Sequence, residues 1–246
     1  MKMSANLFNR SFFLAAAPAA LFLAGCGNDK NSPAPAVEQA KVVFVNAASH
    51  IAPVNLKFSV DNSEKAALDY GKSSAYQTIT SGSRPLQVAA GTQVALSQPL
   101  VTEKDKNYSF FAAPAGSSTS VGALLVPDDL TAPATGKARI RVVHLGQGVA
   151  TPIRLSQTTA VTGAGVIVND VVAGSASAFT EFNPGNYSLF ISNTANAPLV
   201  QVGDGSGSGT GTKAYEAGKL YTVLVTGTSG SLNQDQKLKA FVSQNN

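Results

Sequence analysis

The stretch AKVVFVNAASHIAPVNLKFSV (40–60) returns about 100 residues later as ARIRVVHLGQGVATPIRLSQ (138–157). Ala40 matches Ala138, Lys41 matches Arg139, Val42 matches Ile140 and Val45 matches Val143. With one inserted residue, Pro53-Val54-x-Leu56 matches Pro152-Ile153-x-Leu155. Gly71, Tyr76, Ile79, Gly82, Leu86 and Val88 lie 103 residues before Gly174, Phe179, Phe182, Gly185, Leu189 and Ile191. Glu103-x-x-Lys106-x-Tyr108 lies 113 residues before Glu216-x-x-Lys219-x-Tyr221. The offset grows because "GDGSGSGTG" (203–211) is inserted in the second copy. A repeat of this length means two domains of one kind and excludes a solenoid of short units.

Each copy reads as β. Segments 41–45, 54–60, 107–113, 138–143, 186–191 and 220–226 are short and rich in Val, Ile, Leu, Phe and Tyr. Val54-Asn55-Leu56-Lys57-Phe58 alternates, which puts its apolar groups on one face. Leu220-Tyr221-Thr222-Val223-Leu224-Val225 is almost continuous and predicts a buried central strand. Turn signals at 81–83, 183–185 and 217–219 separate the runs. The expected fold is all-β, two tandem immunoglobulin-like antiparallel β-sandwich domains. The expected boundaries are 40–126 for the first, 127–137 for the junction and 138–246 for the second. Fragments 37–133 and 134–246 are expected to fold alone.

The succession ARIRVVH, a Pro-led second strand, NPGNYSLFI and YEAGKLYTVLV resembles domain of unknown function 4397. The bridge PDDLTAPATGKARIRVVH (127–144) resembles the junction between tandem copies in that family. The resemblance covers about residues 40–243 in two copies. The first copy departs from the second, with Asn46 where the second has His144. The resemblance implies a secreted or lipid-anchored β module of a bacterial envelope, and no established activity.

Residues 1–25 read as a signal peptide. Lys2 and Arg10 precede the uncharged apolar run SFFLAAAPAALFLA (11–24), and Pro18 interrupts it. The run ends in Leu23-Ala24-Gly25-Cys26, which resembles the lipobox of bacterial lipoproteins. That resemblance implies cleavage before Cys26, a diacylglyceryl group on its thiol and an acylated (palmitate-type) amine. Two chains suffice for stable attachment. Residues 26–39 then form a flexible tether. Gly27 in place of Asp implies the outer membrane in a Gram-negative host. Cys26 is the only cysteine, so no disulfide within the chain is available. Cleavage leaves 16 basic and 14 acidic side chains, so the chain lacks the charge that would track phosphates. Nucleic acid is not an expected partner.

Catalytic chemistry is poorly represented. His50 and His144, the only histidines, sit at unmatched positions, and no cofactor or metal site is expected. No G-x-S-x-G elbow occurs. Asp128-Asp129, the adjacent carboxylate pair, follows Pro127 and reads as a turn. The loop 203–211 lacks the register of a phosphate-binding motif, and Asp204 alone makes a weak calcium ligand. Tyr76, Tyr108, Tyr187, Tyr221, Phe179 and Phe182 recur at matched positions, which points to core or tyrosine-corner roles; Tyr70 and Tyr215 have no assigned role. The expectation is a non-enzymatic, lipid-anchored envelope protein that binds or scaffolds. An adhesin or glycan-binding module and an enzyme of unrecognised class are the alternatives.

Overall fold

Strand side chains alternate, so Val42 and Phe44 face one way and Val43 and Val45 the other. All four are buried. A run that is apolar on both faces needs cover on both, and the architecture supplies it. A computed structural model describes residues 36–52, 54–115, 120–149, 152–157, 165–195, 197–203 and 211–245. Cys26 and the predicted signal peptide lie outside the described residues, as does most of the predicted tether. So does Asp204 in the Gly-rich loop.

The first half contains β1 (Gln39–Asn46), β2 (Leu56–Val60), β3 (Ser63–Leu68), β4 (Gln77–Thr80), β5 (Gly82–Ala90), β6 (Gln93–Thr102), β7 (Asn107–Pro114) and β8 (Val121–Pro127). They form two four-stranded sheets, ordered β4-β1-β7-β8 and β3-β2-β5-β6. The second half contains β9 (Ala138–His144), β10 (Ile153–Ser156), β11 (Val166–Val171), β12 (Ser175–Ala176), β13 (Thr180–Phe182), β14 (Gly185–Ser188), β15 (Phe190–Asn193), β16 (Pro198–Gln201), β17 (Thr212–Tyr215), β18 (Leu220–Thr226) and β19 (Lys239–Gln244). Its sheets run β12-β9-β18-β19, with β13 also on β9, and β11-β10-β15-β16. The long β5–β6 hairpin of the first half is divided in the second. There β15 pairs with β16 and β14 pairs with β17. The insertion at 203–211 falls between β16 and β17, where the sequence offset grows.

The all-β sandwich is as the sequence predicts, and no α-helix occurs among the described residues. Strand order adds a detail that the sequence does not show. Here β1 lies between β4 and β7, and it pairs with β7 in parallel, from Lys41 opposite Asn107 to Asn46 opposite Ala112. β9 and β18 repeat this parallel pairing. Parallel neighbours need a long crossover, and the intervening strands of the second sheet provide it.

The repeat is also visible in single hydrogen bonds. Gly71 N–H donates to the Asn46 carbonyl at 2.8 Å, and Gly174 N–H to the His144 carbonyl at 2.8 Å. Phe44 N–H reaches Ser74 Oγ at 3.0 Å, and Val142 N–H reaches Ser177 Oγ at 3.0 Å. Gly71 and Gly174 both hold φ near +75°, a region that side chains with a Cβ avoid.

Each half closes on its own core. Phe44, Phe58 and Phe110 meet at 5.3–6.3 Å in the first. Phe182, Tyr187, Tyr215 and Tyr221 cluster in the second, with neighbouring centroids 4.9–6.5 Å apart. A third apolar cluster joins the two. Val43, Val45, Phe111 and Ala113 from β1 and β7 pack with Val143, Leu145 and Leu224 from the second half. This cover explains why Leu220–Thr226 is buried at every position. Val37–Asn246 holds together as one unit.

Candidate functional site

The joint between the halves carries the densest buried chemistry of the described residues. Arg141 lies mid-strand in β9 and faces the first half. Its side chain is 1% exposed and that of Asp128 is 0% exposed, and Nη2 lies 2.7 Å from Asp128 Oδ1. Nη2 also donates to Ser109 Oγ at 2.9 Å, and Nε to Thr222 Oγ1 at 2.9 Å. Ser109 donates to Asp128 Oδ2 at 2.8 Å, Tyr76 to the same oxygen at 2.6 Å, and Thr222 to Asn245 Oδ1 at 2.7 Å. The guanidinium carbon lies 4.6 Å from the centroid of the Phe179 ring. Burial pushes the Tyr76 phenol far above its usual range, and the Asp128 carboxylate adds to this. The network therefore holds one cation and one anion, both desolvated and hydrogen-bonded.

Strand direction follows from two contacts. Ser109 and Thr222, each near the start of its strand, meet at Arg141. Past the end of β1, the Ala47 carbonyl accepts from Thr226 Oγ1 at 2.7 Å, at the end of β18. The facing strands thus run the same way. The loops 47–52, 70–72, 145–149 and 227–237 gather at one end, and β1 and β9 both start from the other.

Tyr108 and Tyr221 take the predicted corner role. Tyr108 Oη accepts from Glu103 N–H at 3.1 Å, and Tyr221 Oη from Glu216 N–H at 2.9 Å. This is a tyrosine corner made twice. Tyr76 and Phe179 lie in the joint instead of in either core. Tyr70 is there too, with its ring edge-on to Phe241 at 5.6 Å and burial pushing its phenol up to about 12. Tyr215 belongs to the second core, and Tyr187 Oη reaches the Pro184 carbonyl at 3.3 Å.

Asp129 keeps the predicted turn role. Its Oδ1 accepts from Thr131 N–H at 3.0 Å, and Arg139 lies 2.7 Å from Oδ2 and holds the carboxyl well below the usual range. Asp128 departs from that reading, because it is buried against Arg141. Both carboxylates are thus paired to arginines. The signal for Asp128 lay in ARIRVVH itself, where a charge interrupts a buried strand at the position of Val43.

His50 and His144 remain apart from this network. Among the described residues, no three His, Cys, Asp or Glu groups are placed to hold a metal ion. His144 is fully buried, and its Nδ1 accepts from Gly146 N–H at 3.3 Å. Asn46 makes the matching bond to Ala48 N–H at 3.2 Å. Burial lowers the pKa of both histidines below the ordinary value of about 6.5. The folded state prefers them neutral, so their contribution is complete above pH ~6.5 and is lost as pH falls below it. The urea midpoint is expected to drop between pH 7.5 and 5.5, and His144→Asn to flatten that drop. An unchanged drop in the variant would exclude His144 as its source.

Residues 40–151 match the family model described as domain of unknown function, DUF4397. The match takes in the first half, the junction and β9. It covers the first of the two expected copies. No curated protein matches the chain. A crystal structure of a proposed cell adhesion protein from Bacteroides eggerthii DSM 20697 is similar at 13% identity, with a TM-score of 0.23, over 85% of this chain and 96% of that one. That similarity lends no support to a shared activity.

Proposed function

We propose that the chain is a lipid-anchored protein of the bacterial cell envelope, in the outer membrane of a Gram-negative host, that binds or scaffolds and does not catalyse. Cys26 is the attachment point, and residues 138–246 are a second copy of the DUF4397 module. The observation that carries the reading is Leu23-Ala24-Gly25-Cys26 at the end of an apolar run, with Cys26 the only cysteine. The repeated hydrogen bonds support the second copy. The joint supports the scaffolding reading, since it packs both halves into one compact unit. No helix among the described residues is long and apolar enough to cross a membrane.

The end away from the start of β1 is formed by loops of both halves. The adhesin or glycan-binding reading would use the same loops, because contacts collect on loops carried by a rigid scaffold. Labelling with palmitate in a native host tests the anchor. The wild type is expected to take up label and fractionate with membranes, and Cys26→Ser to do neither. Equal labelling of both would remove the anchor.

A further inference from the structure

Matched positions of the two halves meet across the joint, as about a two-fold axis. Ser109 and Thr222, 113 residues apart, both bind Arg141. Tyr108 lies opposite Pro127, and Tyr221 opposite Gln244, so Asp128 and Asn245 are counterparts. Their backbones agree: Asp128 N–H donates to the Asn107 carbonyl at 2.8 Å, and Asn245 N–H to the Leu220 carbonyl at 2.8 Å. In the same way Val43 answers to Arg141 and Tyr76 to Phe179.

The axis is broken by what those three positions hold. On one side the Arg141 guanidinium lies 4.6 Å from the Phe179 ring and 2.7 Å from Asp128. On the other side Val43, Tyr76 and Asn245 line a cavity of about 230 Å³, open to solvent at Ser73, Gln244 and neighbouring residues. Ser74 and Ala75 in its wall are the counterparts of Ser177 and Ala178 beside Phe179. The cavity is the two-fold mate of the seat that the guanidinium fills.

We propose that this cavity binds a guanidinium, the arginine side chain of a partner polypeptide. The Tyr76 ring offers a face for the planar cation, as Phe179 does for Arg141. The Asn245 carbonyl oxygen accepts one bond from Thr222 and has a second lone pair. Serine hydroxyls line the rim, and the nearby Arg141 guanidinium, one hydrogen bond behind the wall through Thr222, has its charge balanced by Asp128. A lysine ammonium is a compact charge and cannot stack in this way. The site is independent of the lipid anchor, so either idea can fail alone.

The test is titration of the full chain with N-acetyl-arginine amide, followed by chemical shifts. The wild type is expected to show saturable binding localised at Tyr76 and Asn245, with little response to the lysine analogue. Val43→Arg fills the cavity from within and is expected to abolish binding. Asn245→Asp supplies the carboxylate of the matched seat and is expected to tighten binding about tenfold. Absence of saturable binding, equal binding of the lysine analogue, or full binding by Val43→Arg would overturn the site. Should Val43→Arg fail to fold, Asn245→Asp, at a partly buried position, decides, and no tightening overturns the proposal.

Discussion

Asp128→Ala is expected to lower the unfolding free energy by about 3–5 kcal/mol, because it leaves a buried guanidinium without a counter-charge. Arg141 is 1% exposed, and its other partners, Ser109 and Thr222, are neutral hydroxyls. The same substitution removes the acceptor of both Ser109 and Tyr76. The charge pair itself contributes far less than this loss, since desolvation offsets most of its attraction. Asp128→Asn combined with Arg141→Val places on one side of the axis what Asn245 and Val43 place on the other. That double variant is expected to recover most of the stability lost in Asp128→Ala. Urea denaturation at pH 7 measures all three. A single Asp128→Ala within about 1 kcal/mol of wild type would mean that water reaches the guanidinium.

The sequence shows the parts of the fold that repeat and hides the parts that break the repeat. Alternation in Val54–Phe58 and the matched Glu-x-x-Lys-x-Tyr segments foretell strands and corners, because strand period and corner bond are local. The insertion at 203–211 marks the divided hairpin for the same reason. The continuous run Leu220–Val225 reads correctly as a buried central strand, but the sequence does not name its cover. Its outer face meets the other half of the chain, and that contact is a tertiary choice that period alone does not specify. Strand order is hidden likewise, since β1 reaches β7 across more than 60 residues. Asp128 resembles a turn residue in sequence, and its neighbour Asp129 is one. Only the pairing with Arg141, 13 positions on in sequence, separates their roles.

Phe111→Asp is expected to uncouple the halves while leaving both cores filled. Phe111 is 1% exposed, and it points into the joint, away from Phe44, Phe58 and Phe110. A carboxylate there would be desolvated with no partner, a cost of several kcal/mol. The halves can avoid that cost by separating, which admits water to the joint. The wild type, one unit from Val37 to Asn246, is expected to melt in a single step. The variant is expected to melt in two steps, with its far-ultraviolet circular dichroism unchanged at low temperature. The same reasoning bears on the fragments 37–133 and 134–246. Each retains its own core, but each bares an apolar sheet face holding Val43, Val45 and Phe111 or Val143, Leu145 and Leu224, and such a face drives self-association. Global unfolding of Phe111→Asp would show that neither core stands without the joint. One unshifted transition would show that the joint adds no stability.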